Sequence, residues 1–261
     1  MIMEISKLSK VCFEVTNQCN ERCKYCFAFN DEGRDLSYDN HIAILDKLVK
    51  RGVKQINWSG GECLLLPHLL SLLKHAKKHG IFNALDTNGI ILTDAILCKL
   101  KNYVDRINLS INSLSPQTNQ AMGREQGYEK LVLNKICNIQ KNNIPFRIST
   151  VVSNINKDDI SALGLELARL DVRNWLLVQF SPIRNCAITN ENIFNISEKT
   201  FFEVAKNQQI NYPQMSIDAR THDYFRNDYF QVTPRGVLVV NKNSQDIVLE
   251  NLLCQNNQKD M

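Results

Sequence analysis

Three cysteines stand within one short stretch, CNERCKYC, at Cys19, Cys23 and Cys26. Thiolates at such close spacing can bind a zinc ion or an iron–sulfur cluster, because one loop brings several sulfurs to a common centre. A structural zinc site takes four protein ligands, usually as two separated pairs, and the remaining cysteines of this chain are isolated. Three thiolates on a four-iron cluster leave one iron open to an outside molecule. The spacing therefore favours an iron–sulfur centre with an open position. The alternative is a zinc or iron–sulfur binding module without turnover.

Composition narrows the class of protein. The chain has 261 residues, nine cysteines and a formal net charge of +4. An odd number of cysteines among long periodic segments is typical of a reduced protein rather than a disulfide scaffold. The N-terminal segment lacks the pattern of a secretory signal, and no apolar run is long enough to span a bilayer. We expect a cytoplasmic protein with no membrane partner, and the lack of basic runs makes nucleic acid an unfavoured partner.

Apolar strands alternate with amphipathic helices up to Phe180. Six such βα units predict a parallel sheet with right-handed crossovers, and they fit an incomplete barrel better than the closed eight-stranded one. Beyond Phe180 we expect a helix and a hairpin that turns at Pro234–Gly236. The prediction is one α/β domain over residues 1–261: a partial (β/α)6 TIM-like barrel over about 10–180 with a C-terminal extension over about 181–261. The predicted strands are Lys10–Thr16, Gln55–Ser59, Phe82–Thr87, Arg106–Ile111, Phe146–Val152 and Trp175–Phe180.

A second stretch whose residue types could take part in binding or catalysis is WSGGEC, Trp58–Cys63, at the end of the second predicted strand. Gly60 and Gly61 allow a close backbone approach, and Glu62 offers a carboxylate acceptor for an ammonium group. The cysteine stretch follows the first predicted strand. Because chemistry in parallel α/β folds collects at the carboxyl ends of the strands, we expect both stretches on one edge of the sheet.

The CxxxCxxC pattern with Tyr25 before its last cysteine resembles the radical S-adenosylmethionine superfamily. SGGE resembles that superfamily's GGEP motif, with Cys63 at the usual proline position. The resemblance implies a [4Fe–4S] cluster on the three cysteines, with S-adenosylmethionine on the open iron. It also implies a 5′-deoxyadenosyl radical that abstracts hydrogen from a substrate, and an electron donor such as flavodoxin or ferredoxin. The cofactor-binding residues that it implies are Tyr25, Ser59, Gly60, Gly61, Glu62, Asn88, Ser110 and Arg124.

Several stretches, among them VTNQCNERCKYCF and FRISTVVSNIN, are similar to the viperin-type nucleotide dehydratases. This similarity implies a nucleotide or nucleoside-like substrate that loses water after hydrogen abstraction from its ribose. Cys12 and Leu177 stand near positions where that family has an asparagine and a lysine that serve the triphosphate. A nucleoside, a nucleotide monophosphate or an uncharged sugar is therefore also a plausible substrate. The alternative function is a radical S-adenosylmethionine enzyme that acts on a sugar, a peptide or another biosynthetic intermediate. The candidate substrate contacts are Asn112, Arg147, Gln179 and Arg235, and the candidate donor of the terminal hydrogen atom is Tyr229.

Overall fold

One continuous sheet forms the frame of the molecule. The computed structural model describes residues 8–30, 33–226 and 229–254. Within these ranges ten strands pair in the order β10-β9-β8-β1-β2-β3-β4-β5-β6-β7. The strands are β1 (Lys10–Glu14), β2 (Gln55–Ser59), β3 (Phe82–Thr87), β4 (Arg106–Ser110), β5 (Phe146–Val152), β6 (Asn174–Gln179), β7 (Ser216–Arg220), β8 (Tyr229–Val232), β9 (Val237–Lys242) and β10 (Gln245–Asn251).

The six predicted βα units form the core. Strands β1 to β6 are neighbours in chain order, and each adjacent pair is parallel. The described sheet runs from β10 to β7 without closing on itself, so the predicted partial barrel is confirmed. The helices are α1 (Tyr38–Lys50), α2 (Leu69–Lys78), α3 (Asp94–Leu100), α4 (Pro116–Ala121), α5 (Tyr128–Lys141), α6 (Ile160–Arg169), α7 (Asn185–Thr189), α8 (Glu191–Phe194), α9 (Glu198–Asn211) and α10 (Asp223–Arg226), with single 3-10 turns at Cys63–Leu65 and Lys157–Asp159.

Helix α1 illustrates how the sequence builds the outer layer. The helix begins after Ser37, whose side chain accepts a hydrogen bond from the Asn40 N–H and so caps the first turn. Its apolar residues recur at helical spacing, which buries one face against the sheet. None of the helices in the described ranges is long and apolar enough to cross a membrane.

The C-terminal extension adds strands to both edges of the core sheet. β7 pairs in parallel with β6, and β8 pairs in parallel with β1 before the chain turns into antiparallel β9 and β10. The predicted hairpin at Pro234–Gly236 is the β8–β9 turn. The sequence patterns do not predict β7 or β10, because these strands are polar and largely exposed edge strands. β7 pairs with the core strand β6, whereas β10 pairs with β9 of the extension.

Candidate active site

The cysteine loop, residues 15–29, follows β1 at the carboxyl edge of the sheet. Cys19 and Cys23 are half-buried, whereas Cys26 is exposed. The Cys26 N–H donates to the Cys23 carbonyl at 3.3 Å, and the Cys26 carbonyl accepts from the Ala187 N–H at 3.2 Å. All three thiols are free of disulfides, and a short turn together with the extension fixes the loop that carries them.

Gly60 and Gly61 bring the end of β2 against the cysteine loop. The Gly61 N–H donates to the Thr16 carbonyl at 2.8 Å, and the next N–H donates to the Gln18 carbonyl at 2.7 Å. Gly60 has a φ of +127°, and a Cβ atom on it would lie 2.4 Å from the Thr16 oxygen. A Cβ atom on Gly61 would lie 2.2 Å from the Gln18 oxygen. Both glycines are therefore required by the close approach of two protein backbones.

The Glu62 carboxylate is buried beside the end of β3. It accepts hydrogen bonds from the Thr87 hydroxyl and the Asn88 N–H, both at 2.8 Å. Burial raises the pKa of Glu62, and these hydrogen bonds act in the opposite direction. The neighbouring Cys63 thiol is buried and donates to the Asp86 carbonyl at 3.2 Å, which makes it a core residue. Glu62 is thus held in one orientation at the carboxyl edge.

Asn88, Ser110 and Arg124 converge on Tyr128, a residue that the sequence motifs do not single out. The Tyr128 hydroxyl lies 2.6 Å from the Ser110 carbonyl and 3.0 Å from the Asn88 carbonyl. The Arg124 guanidinium carbon lies 4.4 Å from the centre of the Tyr128 ring, and its Nη2 donates to the Tyr25 hydroxyl at 2.7 Å. Arg124 is buried, and its Nε has no hydrogen-bond partner among the described residues. A buried guanidinium with an unpaired N–H is suited to bind a carboxylate.

A cavity of about 240 Å³ opens beside the cysteine loop, and Cys26 forms part of its wall. The residues that line this cavity include predicted cofactor-binding residues, predicted substrate contacts and the candidate hydrogen-atom donor. The members of these three groups that line it are Tyr25, Ser59, Gly60, Ser110, Arg147, Gln179 and Tyr229. Gln179 is also fixed by its own contacts, since its Nε2 donates to the Ile196 carbonyl at 2.9 Å.

Two predicted substrate contacts do not line this cavity. Asn112 is buried, donates to the Tyr25 hydroxyl at 2.5 Å and accepts from the Val151 N–H at 2.9 Å. Arg235 lies in the β8–β9 turn and donates to the Arg34 carbonyl. In the part of the chain that the structure describes, Asn112 supports Tyr25 and Arg235 supports the segment before α1.

Inward-facing strand residues that the motifs do not single out complete the wall. They alternate along the strands, as a single face of a sheet requires. The polar and charged members are Cys12, Glu14, Asn57, Asp86, Asn108, Ser149, Arg220 and Gln231. The alternation of Asn57 with Ser59 on β2, and of Asn108 with Ser110 on β4, was the sequence signal that could have found them.

Cys12 and Tyr229 are neighbours on this wall, with their side chains within hydrogen-bonding reach. Burial raises the pKa of the Cys12 thiol, and the carboxylates of Glu14 and Asp86 add to the effect. Burial also raises the pKa of Tyr229 well above its ordinary value. Both groups therefore keep their protons near neutral pH.

The residues present fit a [4Fe–4S] cluster together with S-adenosylmethionine. Within the described ranges no three His, Cys, Asp or Glu side chains converge on a position for a single metal ion. A four-iron cluster instead takes each thiolate on a different iron, so three separated sulfurs on one loop are the appropriate donor set. Glu62 and Arg124 both lie close enough to Cys19 to influence its pKa. They provide an acceptor for an ammonium group and a donor for a carboxylate beside the thiols.

Comparison with known proteins agrees with this arrangement. An S-adenosylmethionine-dependent nucleotide dehydratase from Lacinutrix mariniflava is 30% identical over 245 residues, which are 89% of this chain and 50% of that protein. Another from Flammeovirga pacifica is 28% identical over 259 residues, which are 94% of this chain and 87% of that protein. The chain thus spans half the length of the first relative and most of the second.

The fold has solved counterparts as well. Streptococcus suis SuiB bound to S-adenosylmethionine matches with a TM-score of 0.77 at 14% identity, covering 97% of this chain and 65% of that one. At this identity the likeness shows the fold alone. The family model of the radical SAM superfamily matches residues 13–167, which contain the cysteine loop, Glu62 and Arg124. The chain therefore belongs to the radical S-adenosylmethionine superfamily, whose members use a [4Fe–4S] cluster and S-adenosylmethionine.

Proposed function

We propose that this enzyme removes water from a nucleotide or nucleoside-like small molecule by viperin-like radical chemistry. The observation that carries the proposal is the shared cavity: Cys26, Ser59 and Ser110 from the cofactor side line the same space as Arg147 and Tyr229. A substrate in this cavity lies beside the cofactor site. The names of the two dehydratase relatives, which match most of this chain, support the reaction type.

Cys19, Cys23 and Cys26 hold the cluster in this proposal. When bound, the cluster and S-adenosylmethionine supply a 5′-deoxyadenosyl radical that removes hydrogen from the substrate ribose. Glu62 accepts hydrogen bonds from the methionine ammonium group, and Arg124 pairs with the methionine carboxylate.

Four further residues shape the place of the cosubstrate. Asn88 and Ser110 stand at the ends of β3 and β4 and contact the ribose hydroxyls and the carboxylate. Ser59 and Gly60 line the adjoining wall at the end of β2.

Tyr229 supplies the terminal hydrogen atom in the proposed reaction. Its raised pKa keeps the phenol protonated, so an O–H bond is present on the cavity wall near neutral pH. The adjacent Cys12 thiol is also protonated and stands next to this donor. The loss of the 3′-hydroxyl as water needs one proton and one electron in total, and a hydrogen atom delivers both.

An external one-electron carrier such as flavodoxin or ferredoxin would supply the electron for the cluster and a second electron that, with a proton from water, restores the Tyr229 phenol after each turnover.

The test is turnover by the anaerobically reconstituted protein. The protein is given S-adenosylmethionine, a strong reductant and a panel of ribonucleotides, nucleosides, amino sugars and peptides. We expect 5′-deoxyadenosine release that a nucleotide stimulates, together with a nucleotide product lighter by one water. Stimulation by a sugar or a peptide alone would show that the nucleotide assignment is wrong, and no deoxyadenosine from a cluster-loaded sample would contradict the enzymatic proposal.

Glu62→Gln separates cosubstrate binding from cluster assembly. The loss of a charge-assisted hydrogen bond should weaken S-adenosylmethionine binding by about 1.5–3 kcal/mol, measured by calorimetry. Iron content should equal that of the wild type. Glu203→Gln, at an exposed position of α9, is the matched control and should change neither quantity.

A further inference from the structure

Arg184 lies against the end of the cysteine loop. This buried residue stands just before α7, in the C-terminal extension. Its Nη1 donates to the Phe27 carbonyl at 3.2 Å, and its guanidinium carbon lies 4.0 Å from the centre of the Phe29 ring. Phe27 directly follows Cys26 in the chain. One guanidinium group therefore contacts the first and the third residue after the last cysteine of the loop.

The same guanidinium group also binds two strands of the extension. Its Nη2 donates to the Gln231 side-chain oxygen on β8 at 2.7 Å. Its Nε and Nη2 both donate to the Asp246 carboxylate on β10, which also accepts from Asn241 Nδ2 at 2.9 Å. All three nitrogens of the fork thus have partners, and the pair with Asp246 is bidentate, the geometry for which a guanidinium is best shaped.

Gln231 and Glu14 close these contacts into a ring. The Gln231 Nε2 donates to Glu14 Oε1 at 3.1 Å, and Glu14 Oε2 accepts from the Phe29 N–H at 2.9 Å. The ring therefore runs from Arg184 through Gln231, Glu14 and Phe29 back to Arg184. Its three polar side chains are buried. A buried polar network whose members satisfy one another holds its groups in one arrangement.

Cys26 is the thiol that depends most on this support. It is exposed, whereas Cys19 and Cys23 are half-buried, so side-chain packing holds it least. Its own carbonyl accepts from the Ala187 N–H, and the next carbonyl accepts from Arg184. Groups that orient a metal ligand from behind commonly set how firmly the metal is held.

We propose that Arg184 is a positioning residue for the cluster, because it fixes the backbone on which the Cys26 thiolate depends. This inference rests on the proposed role of Cys26 as a cluster ligand. Arg184 acts through Phe27 and through the ring with Gln231 and Glu14. The pair with Asp246 makes β10 of the extension part of this support, although β10 is remote from the cysteine loop in the sequence.

Iron release from the cluster-loaded, full-length protein tests the proposal. Arg184→Gln and Asp246→Asn should each lose iron to a chelator faster than the wild type, with an increase of about tenfold or more for Arg184→Gln. The second variant keeps the arginine and removes only the charge of its partner, so it serves if the first folds poorly. Release at the wild-type rate in both variants would overturn the proposal.

Hydrogen exchange measured by mass spectrometry separates positioning from general stability. In Arg184→Gln, amide exchange in the cysteine loop should rise by more than exchange in α2, because the Phe29 N–H belongs to the ring and α2 does not. An equal rise in both segments would show that Arg184 only stabilises the whole fold.

Arg51→Gln is the matched control. Arg51 pairs with Glu250 and so also ties the core to β10. This change should leave iron release and loop exchange at wild-type values. Arg184→Lys can keep an ion pair with Asp246 but lacks the fork that reaches Phe27 and Gln231 together, so its loop exchange should stay raised. Wild-type loop exchange in Arg184→Lys, or faster iron release in Arg51→Gln, would contradict the assignment.

The same samples separate this inference from the proposed function. Faster iron release in Arg184→Gln, with no dehydrated product from the wild type, would uphold the role of Arg184 and reject the dehydration. Dehydration by the wild type, with equal iron release in wild type and variant, would do the reverse.

Discussion

The Tyr25 hydroxyl accepts a hydrogen bond from Arg124 Nη2 at 2.7 Å and another from Asn112 Nδ2 at 2.5 Å. This one phenol connects the cysteine loop to the end of β4 and to the segment that carries Arg124. The aromatic residue before the last cysteine therefore positions a guanidinium as well as packing beside a thiol.

Tyr25→Phe should leave both donors without their buried acceptor. We expect the free energy of unfolding to fall by about 1–3 kcal/mol, measured by denaturant titration, because an unsatisfied buried donor carries its full desolvation cost. Iron content after reconstitution should be retained, since the phenol is not a ligand. Tyr38→Phe, at a residue 43% exposed, is the control and should stay within about 0.5 kcal/mol of the wild type. Equal losses in the two variants would show that the phenol contributes nothing specific.

The cysteine loop should account for all bound iron. Replacing Cys19, Cys23 or Cys26 by Ala should abolish cluster absorption and iron binding, because a four-iron cluster needs all three protein thiolates here. The exposed Cys98 and the half-buried Cys137 are matched controls, and their Ala variants should bind iron as the wild type does. Iron analysis and visible absorption after anaerobic reconstitution measure this. Stoichiometric zinc in place of iron would contradict the assignment.

Stability should depend on pH through His41, which lies in α1 and is fully buried. Burial lowers the pKa of His41 to about 4, with a further contribution from His68, whose Nε2 lies 2.9 Å from His41 Nδ1. Asp35 acts in the opposite direction. Below pH 6.5, the ordinary pKa of histidine, His41 binds a proton in the unfolded state but stays neutral in the folded state until the pH approaches 4.

The contribution of neutral His41 to the free energy of unfolding should therefore be fully present above pH 6.5, and it should be lost progressively between pH 6.5 and about 4. The total loss should be about 3 kcal/mol, from the size of the shift. Urea titrations at several pH values measure the slope, and His41→Phe should flatten it. A wild-type slope that survives His41→Phe would assign the dependence to other groups.

Local patterns predict much of this architecture, and pairing between distant segments supplies the rest. Alternation and helix caps are properties of neighbouring residues, so the strands from β1 to β6 and the placement of Glu62 after β2 follow from the sequence. Arg220 could not be assigned in this way, because its strand is polar and gains its place only by pairing with β6. The same holds for the junction of β8 with β1, which places Gln231 opposite Cys12 and brings the Tyr229 side chain within reach of the Cys12 thiol.

The motif resemblance predicts cofactor or substrate contacts for some residues whose observed contacts are with other parts of the protein. The sequence predicts that Gly60 and Gly61 let the backbone approach the cofactor closely, and in the structure the backbone that they approach is that of the cysteine loop. Asn112 and Arg235 are polar residues at strand ends, but a strand end alone does not fix where a side chain points. Their contacts with Tyr25 and Arg34 show this.

Tyr229→Phe should uncouple cosubstrate consumption from product formation. The variant keeps the ring that packs against Phe225, with 5.0 Å between ring centres, and removes only the O–H bond. Release of 5′-deoxyadenosine should continue, because hydrogen abstraction precedes the step that needs the donor. The dehydrated product per deoxyadenosine should fall about tenfold or more, which corresponds to at least 1.4 kcal/mol in the donor step. Chromatography of both products from one reaction gives the ratio directly.

Tyr224→Phe is the matched control, since this ring also contacts Tyr229 but its hydroxyl accepts from Lys10. If Tyr229→Phe leaves the ratio unchanged, Tyr229 only packs the extension against the barrel. Loss of product in Cys12→Ser alone would then assign the donor to the adjacent thiol.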